Sequence, residues 1–169
     1  MRTQFFLKYI LFVIAQMILG NYFRFTPYAM LTILPVLVLC LPSKYNTTVA
    51  LLIAFATGLA VDLLMEGVLG LNALALVPVA LIRKGLCKII FGLEYDNTQE
   101  NFSIAKNGAP KVIFAIFIVT ALFLAIYILA DGFQVRPLTF NLIRYGVSLV
   151  ASTLLSILVV EIISADDRR

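Results

Sequence analysis

Apolar runs of roughly membrane-spanning length alternate along the chain with short polar joints, and the pattern predicts six helices. They are helix 1 at Phe5 to Leu19, helix 2 at Pro27 to Leu41, helix 3 at Tyr45 to Met65, helix 4 at Val68 to Phe91, helix 5 at Val112 to Ala130 and helix 6 at Leu138 to Ile163. Only the helix 5 run is free of charge over a full span. Helix 2 lies between Pro27 and Pro42 and contains Pro35, and at 1.5 Å per residue it rises roughly 22 Å, short of a ~30 Å hydrocarbon core. Tilting, local thinning of the bilayer and re-entry are the outcomes open to such a segment. Arg2 and Lys8 ahead of the first apolar run imitate a secretory signal. No small-residue cleavage site follows Gly20-Asn21-Tyr22-Phe23, so this run reads as an uncleaved first helix.

Composition agrees with the pattern. With 62% hydrophobic residues and a mean hydropathy of +1.03, the 169-residue chain carries more apolar surface than a water-soluble core can hide. The expectation is an all-α integral membrane protein with one transmembrane domain over residues 1–169. Charge then orients it. With the N-terminus inside and six crossings, Arg2, Lys8, Lys44, Arg83, Lys84, Lys88, Lys106, Lys111, Arg168 and Arg169 fall on the cytoplasmic side. Only Arg24 and Arg136 fall outside, and Arg144 lies within helix 6, which is an N-in, C-in topology by the positive-inside rule. The net charge of +4 thus faces anionic lipid and calls for no nucleic acid.

The chain has no histidine, which removes Ser-His and Cys-His nucleophile pairs, imidazole proton relays and the commonest metal ligand. Cys40 and Cys87 fall near cytoplasmic helix ends and read as reduced thiols, neither disulfide partners nor metal ligands. Gly67 and Gly70 lack the Lys-Ser/Thr of a phosphate loop. No cofactor is expected. After helix 4, Ile82, Leu86, Ile89, Ile90 and Leu93 share a face with Arg83, Lys84 and Lys88 turned away, a pattern for the inner membrane surface. Glu94 to Pro110 is polar, a connecting loop or a docking site for a cytoplasmic partner.

Asp62 is the residue that needs explaining, because a carboxylate within an apolar helix is costly and is therefore paired or functional. Steps of four along helix 3 give Ala50, Ala54, Gly58 and Asp62; along helix 6 they give Arg144, Ser148, Ser152 and Ser156. Both stripes suit close approach of membrane helices, and Asp62 and Arg144 lie at matching depths near the outer face. The expectation is antiparallel, crossed packing of helices 3 and 6, with Gly58 near Ser148, Ala54 near Ser152 and an Asp62–Arg144 ion pair. A solvent-facing Asp62 and a ligand or partner site remain open beside it.

Gly58, Asp62, Gly70 and Ala73 form the frame G-x-x-x-D, seven residues, G-x-x-A, and this frame in a chain of this length and hydropathy resembles the bacterial rod shape-determining protein MreD family. The chain has Asn72 where many members carry histidine. The resemblance implies a non-enzymatic subunit of the cell-elongation machinery in the bacterial inner membrane, serving peptidoglycan synthesis. It implies an MreC-like single-span partner, with MreB, RodA and a penicillin-binding transpeptidase alongside. It also implies a fold similar to the six-helix substrate-binding subunits of energy-coupling-factor transporters. For a single-span partner, the expected docking surfaces are an apolar face of helix 1, 5 or 6 and the outer loops at Glu66 to Asn72 and Asp131 to Thr139.

Two other classes remain. A vitamin-type carrier would need polar side chains converging on a pocket, for which Asp62, Asn72, Asn141 and Arg144 are the candidates. An aspartyl membrane peptidase would need Asp62 and Asp131 to share a proton, although Asp131 equally reads as an ordinary helix end. Tyr9, Tyr22, Tyr28, Tyr45 and Tyr145 read as interface anchors, and Gln16 and Thr57 as interhelical hydrogen-bonders. Pro35 and Pro78 are expected to kink their helices. Glu161 is expected to meet Lys44, Lys84 or lipid headgroups, and Asp166 to Arg169 to form an exposed tail.

Overall fold

Five apolar runs become long helices, one of them across Pro78, and the run that carries Pro35 does not. The computed structural model describes residues 2–22, 29–65, 68–92, 108–132 and 137–164. These residues form α1 (Arg2–Tyr22), α2 (Leu34–Leu39), α3 (Thr47–Leu64), α4 (Leu71–Phe91), α5 (Ala109–Gly132) and α6 (Leu138–Ser164), with no strand among them. The expected helices 1, 3, 4, 5 and 6 are present with ends displaced by a few residues. Residues 94–107 of the expected Glu94 to Pro110 loop, the tail from Asp166, Glu66, Gly67, Leu93, Arg24 and Arg136 lie outside the described residues, while Ala109 and Pro110 open α5.

The chain is a helical membrane protein by the length and composition of its helices. Spans Thr47–Leu64, Ala109–Asp131 and Leu138–Ile163 are each long and apolar enough to cross a bilayer. Leu11 on α1, Leu52 and Phe55 on α3, and Leu142, Val150, Leu154 and Leu158 on α6 are exposed, an outer surface suited to hydrocarbon rather than water. Successive helices pack as neighbours, α3 on α4, α4 on α5 and α5 on α6. Lys8 Nζ donates to the Ile162 carbonyl at 3.3 Å, so the start of α1 and the end of α6 meet at one end of the bundle.

Helix 2 departs most from expectation. Instead of a helix over Pro27 to Leu41, only Leu34–Leu39 is helical among the described residues of that run, and residues 29–33 ahead of it are not. Pro35 supplies the reason: its ring would strike the carbonyl one turn back, at Leu31, so a helix cannot run on from there into α2 without losing the hydrogen bond to that carbonyl. Non-helical backbone at membrane depth survives only where protein replaces the lost hydrogen bonds. Here it does. Gln16 of α1 donates from Nε2 to the Leu31 carbonyl at 3.1 Å and accepts the Ile33 N–H on Oε1 at 2.8 Å. Ser148 Oγ accepts the Met30 N–H at 2.8 Å, while Ser152 Oγ accepts the Thr32 N–H at 3.1 Å and donates to the Met30 carbonyl at 3.2 Å. Since residues 30 and 32 meet Ser148 and Ser152 in order, the segment runs in the same direction as α6. Every residue from Ile33 to Leu41 is apolar and buried, and α2 touches every other helix.

The expected role of Gln16 as an interhelical hydrogen-bonder therefore holds, with the target being unwound backbone rather than another side chain. Ser152→Ala should destabilise the protein by about 2–3 kcal/mol, because it strands the buried Thr32 N–H and Met30 carbonyl. A lowered thermal midpoint of the detergent-solubilised protein would show it. Thr57 also behaves as expected, sharing a 2.9 Å hydrogen bond with the Tyr9 hydroxyl. Tyr9 is thus a buried interhelical contact and not the interface anchor expected of it.

The inner-surface face expected after helix 4 is reversed at two positions. Arg83 is buried at 3% exposure, while Ile89 is 84% exposed. Arg83 lies on the same helical stripe as Leu76, Val79, Ala80 and Cys87, all buried, and its guanidinium finds acceptors inside the bundle. α4 continues through Pro78. Cys40 and Cys87 are free cysteines, and both are buried.

Candidate functional site

The frame residues Gly58, Asp62, Gly70 and Ala73, together with Asn72, converge on one place, the corner where α3 hands over to α4. Asp62 is buried at 3% exposure near the end of α3. Its carboxylate accepts the Gly70 N–H at 3.0 Å, the Asn72 N–H at 3.1 Å on each oxygen, and the Ala73 N–H at 3.3 Å. The Asn72 side chain adds a donor, Nδ2, at 2.7 Å. These backbone groups are the orphan donors of the first turn of α4, whose own N-cap residue, Gly70, has no side chain to satisfy them. Asp62 supplies the cap from the preceding helix. Its charge is set against the positive end of the α4 dipole, which favours an anion there.

Each remaining residue of the frame has a steric task at this corner. Gly70 adopts φ +90°, in the left-handed region that lets the turn reverse into α4. A Cβ on Gly58 would stand 2.5 Å from the Ala73 backbone nitrogen and 2.9 Å from the Asn72 carbonyl carbon, and nearer still to Ala73 Cα. Gly58 therefore lets the start of α4 settle directly on α3, within reach of Asp62. Ala50, Ala54, Gly58 and Asp62 are all on the buried face of α3, as the four-residue stripe suggests.

That stripe meets α4 and not α6, so the expected packing of helix 3 on helix 6 is corrected. Gly58 lies against Ala73 and Asn72 rather than Ser148, and Ser152 serves the Thr32 N–H rather than Ala54. The expected Asp62–Arg144 pair is corrected as well. Arg144 donates from Nη1 to Asp131 Oδ2 at 2.7 Å, closing the α5–α6 hairpin with both side chains partly exposed. The physical reason is that backbone N–H groups and the Asn72 amide give Asp62 four donors without burying a second charge, whereas Asp131 lies one short connection from Arg144.

Arg83 mirrors Asp62. Its Nε donates to the Leu39 carbonyl at 3.4 Å and its Nη2 to the Leu41 carbonyl, at the C-terminal end of α2. An acid on a helix N-terminus and a base on a helix C-terminus are the favourable signs at both ends. α4 joins the two, being capped by Asp62 and carrying Arg83. Sequence reasoning missed Arg83, and the buried stripe on which it lies was the available signal.

Three of the four polar residues considered for a carrier pocket divide between two corners: Asp62 and Asn72 bond each other, while Arg144 bonds Asp131. Asp62 and Asp131 are likewise held by different partners. Among the described residues no three His, Cys, Asp or Glu side chains gather closely enough to hold a metal ion. Comparison of the chain with protein-family models, curated proteins and solved structures returns no match.

Proposed function

We propose that the chain is a six-span, N-in, C-in scaffold subunit of the bacterial cell-elongation machinery, resembling the MreD family and working without catalysis. It resides in the inner membrane and binds an MreC-like single-span protein, alongside MreB, RodA and a penicillin-binding transpeptidase. One observation carries the reading: the residues of the G-x-x-x-D frame and its G-x-x-A partner assemble into a single structural unit, in which both oxygens of the buried acid are occupied by the chain's own donors. Buried polar groups consumed in this way fix helix geometry and present a defined outer surface. The Lys8 contact with Ile162 supports placing both termini on one side. The lysines that six crossings assign to that end, Lys8, Lys44, Lys84, Lys88 and Lys111, support its facing the cytoplasm.

The interrupted segment at 29–39 favours a second reading, since broken helices mark the binding sites of many transporters. The alternative is a substrate-binding subunit of a vitamin-type carrier. Mild detergent extraction of the native protein followed by identification of what co-purifies separates the two. The scaffold reading predicts a single-span, coiled-coil protein. Recovery of an ATPase module instead would overturn it in favour of transport.

A further inference from the structure

Serines at 148, 152 and 156 form a ladder along α6, and only two rungs are in use. We propose that the Met30–Leu39 segment has a second conformation, in which Ile33, now at φ −112° and ψ −1°, and Leu34 are both extended and Leu34 donates its N–H to Ser156 Oγ, so that α2 begins at Pro35.

The spacing comes first. Four residues of α-helix rise about 6.0 Å and two residues of extended chain about 6.6 Å, so every second N–H of an extended segment meets every fourth residue of a helix running beside it. Met30 on Ser148 and Thr32 on Ser152 obey this match. The next pair in the series is Leu34 and Ser156.

Two independent observations show that this third rung is vacant and its donor loosely held. Ser156 is fully buried, and its Oγ is without a hydrogen-bond partner among the described residues, an uncommon and costly state for an interior hydroxyl. Leu34 meanwhile donates to Thr32 Oγ1 at 3.4 Å, the long limit of a hydrogen bond. Leu34 is also helical although it precedes Pro35, a position where helical backbone is disfavoured. Extending Leu34 would relieve that conflict and make Pro35 the first helical residue, the position proline favours.

The change has a mechanical consequence. Ile33 and Leu34, each passing from a rise of about 1.5 Å to about 3.3 Å, together lengthen the segment by about 3.6 Å. Its far end is gripped by Arg83 through the Leu39 and Leu41 carbonyls, so the added length bears on α4. Because α2 touches every other helix, the two lengths correspond to two packings of the bundle, linking the Ser156 level to the lysine-rich end.

Backbone NMR of the full-length protein in lipid nanodiscs tests the proposal. Wild type is expected to show microsecond-to-millisecond exchange at the Leu34 to Leu39 amides, with Leu34 carbon shifts drawn toward extended values. Ser156→Ala should abolish the exchange and return the Leu34 shifts to helical values, while Ser156→Thr, which keeps the hydroxyl, should retain both signatures. Pro35→Ala, acting on the other cause, should also make Leu34 helical. Static helical shifts at Leu34 in wild type, or exchange that persists in Ser156→Ala, would overturn the proposal.

Discussion

Gly58→Ala is expected to remove most of the folded protein from the membrane, while Gly146→Ala leaves accumulation unchanged. The added methyl at Gly58 meets backbone atoms of Asn72 and Ala73, which cannot swing aside as a flexible side chain would. α4 must move away from α3 instead. Overpacking of this kind costs about 1–3 kcal/mol, and the displacement also draws the Gly70, Asn72 and Ala73 donors away from Asp62. A methyl group on Gly146 would meet nothing within 4 Å, so alanine there only improves helix propensity, by about 0.5–1 kcal/mol. Fluorescence-detected size-exclusion of tagged variants measures the difference. Equal accumulation of the two would show that the α3–α4 contact is looser than described.

Asp62→Leu should destabilise the protein by about 3 kcal/mol or more, because it strands three backbone donors and the Asn72 amide at a buried helix end. Asp62→Asn should cost less, since one oxygen still accepts, but it loses the charge that faces the α4 dipole. Arg144→Gln should cost no more than about 1 kcal/mol, as its pair with Asp131 is partly exposed at 13% and 22%. If Asp62 and Arg144 belong to separate corners, the double variant Asp62→Asn with Arg144→Gln should be additive within about 0.5 kcal/mol. A larger coupling, measured by thermal midpoints in one detergent, would restore the ion pair between them.

The sequence pattern carried the number and placement of the five long helices because each is bounded by polar joints or glycine and proline. It carried Gln16 and Thr57 as well, since a polar side chain inside an apolar helix has few uses apart from reaching a neighbour. What it could not carry was the direction of that reach. Spacing by four put Gly58 and Asp62 on one face but left α4 and α6 equally eligible to meet it. Charge complementarity then favoured Arg144, when the stronger donors were backbone N–H groups about ten residues downstream. The absence of a capping side chain at Gly70 was the overlooked clue: a helix start without its own cap takes one from elsewhere.

Helix 2 was legible as a weak element from its prolines and short reach, and illegible in form. Its half-extended path depends on Gln16, Ser148 and Ser152 arriving from α1 and α6, which is a tertiary fact. Arg83 illustrates the opposite error. Its charge alone points it outward, although Val79, Ala80 and Cys87 around it mark the inner face.

Amide hydrogen exchange at Asn72 and Ala73 tests the central claim most directly, because those N–H groups exist in no helix ladder and owe their protection to the Asp62 carboxylate. Their exchange should accelerate by about tenfold or more in Asp62→Asn, equivalent to about 1.4 kcal/mol, and remain at the wild-type rate in Arg144→Gln. Unchanged protection in Asp62→Asn, or protection lost in Arg144→Gln, would contradict the account.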